Sequence, residues 1–168
     1  MAVDIAIRPE VPDDAAGIRT LLAGCFPTDA EAHLVDLLRD AGHLTVSLVA
    51  LAGDAVVGHV AFSPVSASTG EQGLGLAPVA TDSRFRRQGV AARLIRAGFG
   101  RCLAEGCGWV VVLGDPAYYR RFGFRPAAEL GLCDEYGGGA AFQVLELVEG
   151  AAPRSAGLVR YGQEFASV

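Results

Sequence analysis

A chain of 168 residues is long enough to bury a core without disulfide or metal staples and short enough for a single domain, residues 1–168. Hydrophobic residues make up 51% and charged residues 20%, yet no apolar run reaches the roughly 18 residues that a membrane helix needs. A net charge of -5 argues against a surface built to grip nucleic acid, which relies on Lys and Arg at phosphates.

The opening Met1-Ala2-Val3-Asp4-Ile5 has no basic segment ahead of an apolar run, so no secretion signal is read and the expected compartment is the cytoplasm. Cys25, Cys102, Cys107 and Cys133 match neither a disulfide framework nor paired metal-binding knuckles. They are expected as buried reduced thiols, and no metal site is expected.

A short strand is predicted at Ile5 to Arg8, followed by a helix that Pro12-Asp13-Asp14 opens with Pro and two acids in its first turn. Ile18, Leu21, Leu22 and Cys25 form its apolar face, and Phe26-Pro27 ends it. Thr28 with Glu31 three residues on is a capping-box signature for a second helix, which turns Leu34, Val35 and Leu38 inward. Leu44 to Leu51 and Ala55 to Ser63, joined by Gly53-Asp54, read as a hairpin. A Ser/Gly-rich loop from Ser66 to Gly73 leads to a strand at Leu74 to Thr81.

A helix follows from about Gly89 to Ala104, with Val90, Leu94, Ile95, Phe99, Cys102 and Leu103 inward at helical spacing. The unbroken apolar run Trp109-Val110-Val111-Val112-Leu113 reads as a strand covered on both faces, so it should lie parallel to the strand before the helix. A short helix at Ala117 to Phe122, a turn at Gly123, a loop at Gly137-Gly138-Gly139 and strands at Phe142 to Leu147 and Leu158 to Tyr161 complete the chain.

The chemistry concentrates at Arg86-Arg87-Gln88-Gly89-Val90-Ala91, between a strand and a helix start. Exposed N–H groups there face an anion, the helix dipole favours negative charge, and Gly89 lets backbone approach a phosphate. A solvated surface loop is the plain alternative. The segment is neither a P-loop nor a Gly-x-Gly-x-x-Gly fingerprint.

Arg86-x-x-Gly89-x-Ala91 after a strand resembles the Gln/Arg-x-x-Gly-x-Gly/Ala motif of the GNAT N-acetyltransferase family. Tyr118-Tyr119-Arg120-Arg121-Phe122-Gly123-Phe124 resembles that family's aromatic-Tyr-x-x-x-Gly-Phe segment. The order of elements is similar over essentially the whole chain. Gly114-Asp115-Pro116 and Gly58-His59-Val60-Ala61-Phe62-Ser63-Pro64 are similar to a subgroup of small acetyltransferases within it.

The resemblance implies an α/β (α+β) fold with a mixed central sheet, a splayed parallel strand pair and flanking helices. It also implies acetyl-CoA as co-substrate, with an acetyl group passing to a primary amine by direct attack. Backbone at Val79, Ala80 and Thr81 would pair with the pantetheine arm, and the N–H groups from Arg87 through Gln88, Gly89, Val90 and Ala91 to Ala92 would hold the pyrophosphate, with Arg86 beside them. Tyr119 would be the general acid for the departing thiolate, with aromatic packing as its plain alternative. No Asp, Glu or His stands in the strand Leu74 to Thr81 to act as base. Glu31 is the tentative base, with capping as its competing role; His59 through water and an acidic mouth formed by Asp134 and Glu135 are further options.

Many family members carry Asn after the fifth strand, where this chain has Asp115, which could cap the helix holding Tyr119. The acceptor is expected to be a small amine or a peptide rather than nucleic acid, and a homodimer through the late strands is compatible with the apolar composition. A non-catalytic acyl-CoA-binding module on the same fold is the rival reading.

Overall fold

The computed structural model describes residues 3–154 and 157–168. Strand β1 (Ile5–Pro9) precedes helices α1 (Ala15–Cys25) and α2 (Ala30–Asp40), then strands β2 (Val46–Ala52), β3 (Ala55–Ala67) and β4 (Gln72–Thr81). Helix α3 (Val90–Ala104), strand β5 (Trp109–Leu113) and short helix α4 (Pro116–Tyr119) follow. Strands β6 (Arg125–Pro126), β7 (Leu132–Asp134), β8 (Phe142–Glu146) and β9 (Gly157–Tyr161) close the order. Among the described residues no helix is long and apolar enough to cross a membrane.

The sheet runs β1-β2-β3-β4-β5-β8-β6. Along that path the pairs are antiparallel except β4 with β5, and β9 adds to the far half of β3 while carrying β7 parallel to itself. The expected mixed sheet with a parallel pair and flanking helices is therefore what forms. Alternation explains the layers. Val110 and Val112 of β5 pack with α3, while Trp109 and Val111 pack on the opposite face with Phe142, Val144 and Tyr161. That second face is divided, because α1 and α2 cover Val49 of β2 and Ala80 of β4 while the C-terminal segments cover β5 and β8.

Several sequence expectations are corrected. The stretch from Ser66 to Gly73 is not an open loop: β3 and β4 keep pairing out to Val65 with Gly73 and Ser66 with Gln72. Gly73 is needed for close approach, since a Cβ there would lie 2.6 Å from the Trp109 ring. Pro12–Asp14 forms a 3-10 turn, and α1 begins only at Ala15, because the Asp14 carboxylate is drawn back to the Val11 N–H and the Arg8 guanidinium. Leu103 is 46% exposed, lying one residue and so about 100° round the helix from buried Cys102. Cys133 is exposed, and only Cys102 of the four thiols is buried.

The capping box is also absent. Asp29 is the N-cap of α2, and Thr28 Oγ1 accepts instead from the Ala30 N–H at 3.3 Å, two residues on. Glu31 is thereby left without its capping duty.

The parallel pair supplies the opening that the site uses. β4 and β5 pair only at Leu74 with Val110 and Gly75 with Val111. Beyond that, β4 holds one more residue than β3 between the pairs Phe62–Leu76 and Val60–Val79, a bulge at Ala77-Pro78 that increases local twist and turns β4 away from its neighbour.

Candidate active site

A cleft of about 500 Å³ opens where β4 leaves β5, at the start of α3. Val79, Ala80 and Thr81 form one wall. Arg86, Arg87, Gly89, Val90, Ala91 and Ala92 form the other, so the strand and the basic loop named from the sequence meet around one space. Gln88 is turned away, its amide directed at the Arg84 carbonyl 3.5 Å off. Sequence reasoning missed Cys25 and Phe26 at the end of α1, Phe85, Tyr118 and Arg121, all of which border the cleft. No local motif could have revealed Cys25 or Phe26, which arrive by packing of α1 across the sheet.

The loop is shaped as an anion cradle. Arg87 and Gly89 both hold left-handed backbone, with φ of 62° and 77°. Such alternation around Gln88 turns successive N–H groups toward a common point. Helix α3 has no side-chain cap and no acidic residue in its first turn, and its first internal bond runs from Arg93 N–H to the Gly89 carbonyl at 3.0 Å. The N–H groups ahead of Arg93 have no intrahelical partner and are free for an anion. The nearby Asp82 does not compete: its carboxylate is held by Arg84 at 3.0 and 3.1 Å, which lowers its pKa. Arg86 donates from Nε to the Thr81 carbonyl at 3.2 Å and so ties the loop to the end of β4. Thr81 Oγ1 is buried with no partner among the described residues.

Asp115 is the N-cap of α4, accepting from the Ala117 N–H at 2.9 Å, as the sequence suggested. The helix presents Tyr118 to the cleft, with the Arg121 guanidinium 4.4 Å from its ring centre. Tyr119 is 8% exposed and packs edge-on to Tyr118 at 5.0 Å and to Phe124 at 5.7 Å, just behind the lining. Burial raises its pKa to about 12, with Tyr118 adding a smaller push in the same direction. The hydroxyl thus stays protonated at neutral pH.

Elsewhere, Glu31 Oε2 on α2 and His59 Nδ1 and Ser63 Oγ on β3 are buried with no hydrogen-bond partner among the described residues. Asp134 and Glu135 do not form an acidic mouth. Asp134 is buried and accepts from Tyr136 N–H at 3.1 Å and Gly138 N–H at 2.8 Å, closing its own loop, while Glu135 accepts from Tyr161 N–H at 2.8 Å.

Comparison with known proteins agrees with this geometry. The Acetyltransferase (GNAT) family profile matches residues 15–124. The chain is 46% identical over 162 residues to the uncharacterized N-acetyltransferase YhbS of Escherichia coli, covering 95% of this chain and 97% of that protein. A crystal structure of the Escherichia coli YhbS in complex with CoA superposes with a TM-score of 0.94 at 44% identity, covering 99% of this chain and 94% of the other. A GNAT family acetyltransferase from Brucella melitensis in complex with acetyl-CoA superposes with a TM-score of 0.81 at 35% identity, covering 98% and 99% of the two chains.

Proposed function

The chain belongs to the GNAT family of acetyltransferases, and on that premise we propose that it moves an acetyl group from acetyl-CoA to a primary amine by direct attack in a ternary complex. The observation that carries this reading is the uncapped start of α3, whose free N–H groups and left-handed Arg87 and Gly89 open onto the gap between β4 and β5. The relatives solved with CoA and with acetyl-CoA support the same ligand.

The residues fit that co-substrate. The α3 start with Arg86 and Arg87 would hold the pyrophosphate, and the unpaired edge of β4 at Val79, Ala80 and Thr81 would hold the pantetheine arm by main-chain pairing. Acetyl-CoA supplies an activated acyl group and a thiolate leaving group. An N–H in the Val79 region would stabilise charge developing on the acyl oxygen. Tyr119 would donate the proton that the leaving sulfur needs, its high pKa keeping it in the acid form. Glu31, with a buried and unpartnered oxygen, would draw in the acceptor's ammonium and order the water that removes its proton. A small amine or a peptide amine suits a chain of net charge -5 better than nucleic acid.

Calorimetry and an amine screen test the reading together. Acetyl-CoA should bind at least roughly tenfold more tightly than acetyl-pantetheine, since each charge-assisted bond to the pyrophosphate contributes about that factor. Equal affinities would remove the pyrophosphate assignment. A panel of primary amines should then include at least one that releases free thiol from acetyl-CoA. Tight binding with no release for any amine would assign the chain to the non-catalytic acyl-CoA-binding class.

A further inference from the structure

Gln143 lies on β8, directly opposite Val112 of β5, and is only 2% exposed. Its neighbours Phe142 and Val144 pack with Trp109 and Val111. Alternation therefore turns Gln143 to the other face, where Val112, Tyr119 and Phe124 pack together. An amide buried there destabilises the fold unless it is hydrogen-bonded. Its nitrogen donates to the Gly114 carbonyl at 3.1 Å and to the Ala141 carbonyl at 3.2 Å. Carbonyls only accept, so the NH2 end must be the one turned toward them.

Both bonds fall where β5 has lost its other neighbour. β4 leaves β5 after the pair Gly75–Val111, whereas β8 stays paired with β5 from Trp109 to Leu113. Past Leu113 the Gly114 N–H donates to the Ala141 carbonyl at 3.0 Å, and Gln143 holds the Gly114 carbonyl. Gly114 is thus gripped at both main-chain groups from the β8 side. What it fixes is the elbow into α4. The next residue, Asp115, caps that helix with its carboxylate, and its carbonyl accepts from the Tyr118 and Tyr119 N–H groups at 3.1 Å. The Tyr119 ring packs on Gly114 itself. A short line of contacts therefore runs from the Gln143 amide to the Tyr119 ring.

We infer that Gln143 is a positioning residue for the acid step: by holding the Gly114 carbonyl it fixes the β5–α4 elbow, and through that elbow it directs the Tyr119 hydroxyl at the leaving sulfur. This rests on the reading of Tyr119 as the general acid. Gln143 moves no proton and lies outside the cleft lining. It acts by geometry alone, and a misplacement of about 1 Å at the hydroxyl is enough to slow the transfer.

Carbon-13 NMR of protein labelled at the tyrosine Cζ tests the geometry without turnover. The Tyr119 signal, identified by its absence in Tyr119→Phe, should move when CoA is added to the wild type, because the thiol then meets the hydroxyl, and should move much less in Gln143→Leu. An equal shift in folded Gln143→Leu overturns the inference whether or not the chain transfers acetyl groups. A wild-type signal that ignores CoA removes the acid reading of Tyr119, and this role with it. With the most reactive amine of the screen, Gln143→Leu should lower the single-turnover rate by roughly tenfold with acetyl-CoA affinity unchanged, yet cost less than about twofold once Tyr119→Phe is present. Equal losses in the two backgrounds would leave Gln143 a structural role only and overturn the inference. Should Gln143→Leu fail to fold, Gln143→Glu carries the test, since it keeps the shape but turns carboxylate oxygen toward two carbonyls. Its rate relative to wild type should rise as pH falls and the buried carboxyl, its pKa raised by desolvation, regains a proton to donate. A relative rate flat with pH overturns the inference.

Discussion

Tyr119 lies so close to Gly114 that a Cβ on the glycine would sit 2.5 Å from the tyrosine's Cε2. The glycine at the end of β5 thus sets where the ring rests, and with it where the hydroxyl points.

That contact gives two independent ways to test the acid. Tyr119→Phe deletes only the hydroxyl and should lower single-turnover transfer by roughly ten- to a thousandfold with acetyl-CoA affinity nearly unchanged. Gly114→Ala keeps the hydroxyl and displaces it, so it should slow the same step. Tyr118→Phe should do far less. Wild-type single-turnover rates in Tyr119→Phe would return that ring to a packing role.

The cradle makes a prediction about backbone. A Cβ on Gly89 would meet nothing within 4 Å, yet its φ of 77° is strained for any side chain. Gly89→Val should therefore cost about 1–2 kcal/mol of stability through conformation alone, and should weaken CoA binding as the loop relaxes. Arg87→Gly should leave the unfolding midpoint nearly unchanged, because relieved strain of about 1 kcal/mol offsets the entropy of a new glycine. Its CoA affinity should still fall through lost charge. Denaturant unfolding and calorimetry on the same samples separate the two effects.

His59 should make the protein sensitive to mild acid. Its folded pKa of about 4 lies below its ordinary 6.5, so between those values the unfolded chain takes up a proton that the folded one refuses. Stability is full above pH 6.5 and falls as pH drops, by about 1.4 kcal/mol per unit and on the order of 3 kcal/mol in all. Asp14 and Asp36, whose pKa values are lowered by Arg8 and Arg19, lose their contribution only at lower pH. Unfolding midpoints at pH 6.5 and 5 should differ in the wild type and converge in His59→Leu.

Thiol reactivity reads the cleft from another side. Burial pushes Cys102 up to about 12, so it should resist iodoacetamide until unfolding, whereas exposed Cys133 should react first. Cys25 borders the cleft at the start of α3, and CoA bound there should slow its modification. Turnover should survive Cys102→Ala, Cys107→Ala and Cys133→Ala, since direct transfer needs no thiol nucleophile. An acetylated cysteine formed in competent kinetic order would overturn the direct mechanism.

The cleft at the start of α3 was legible because its determinants are local: a strand, two arginines, one glycine and a helix start within a few residues. The fold was legible for a similar reason, since Trp109 to Val112 and the α3 face carry their burial in their spacing. The buried polar groups were not. Thr28 and Glu31 read as a capping box, but Thr28 Oγ1 accepts from the Ala30 N–H, and only packing leaves Glu31 Oε2 buried. The chain from His59 through Ser47 to Glu10 joins residues 12 and 37 positions apart, a connection made by strand register. Arg87's left-handed backbone carries no residue signal either, because arginine is an uncommon occupant of that conformation.

Two pairing positions between β4 and β5 leave the middle of the sheet with an internal seam. Main-chain donors and acceptors along such a seam behave like those of an outer strand, open to whatever extended backbone arrives, a neighbouring unfolded chain included. A ligand lying in the seam would then act as a temporary strand. Filling it should slow deuterium uptake at Val79 to Thr81 and raise the melting temperature in proportion to the logarithm of ligand concentration. If an acyl carrier fills this opening, the empty protein should be more prone to self-association than the loaded one, which light scattering with and without CoA would show.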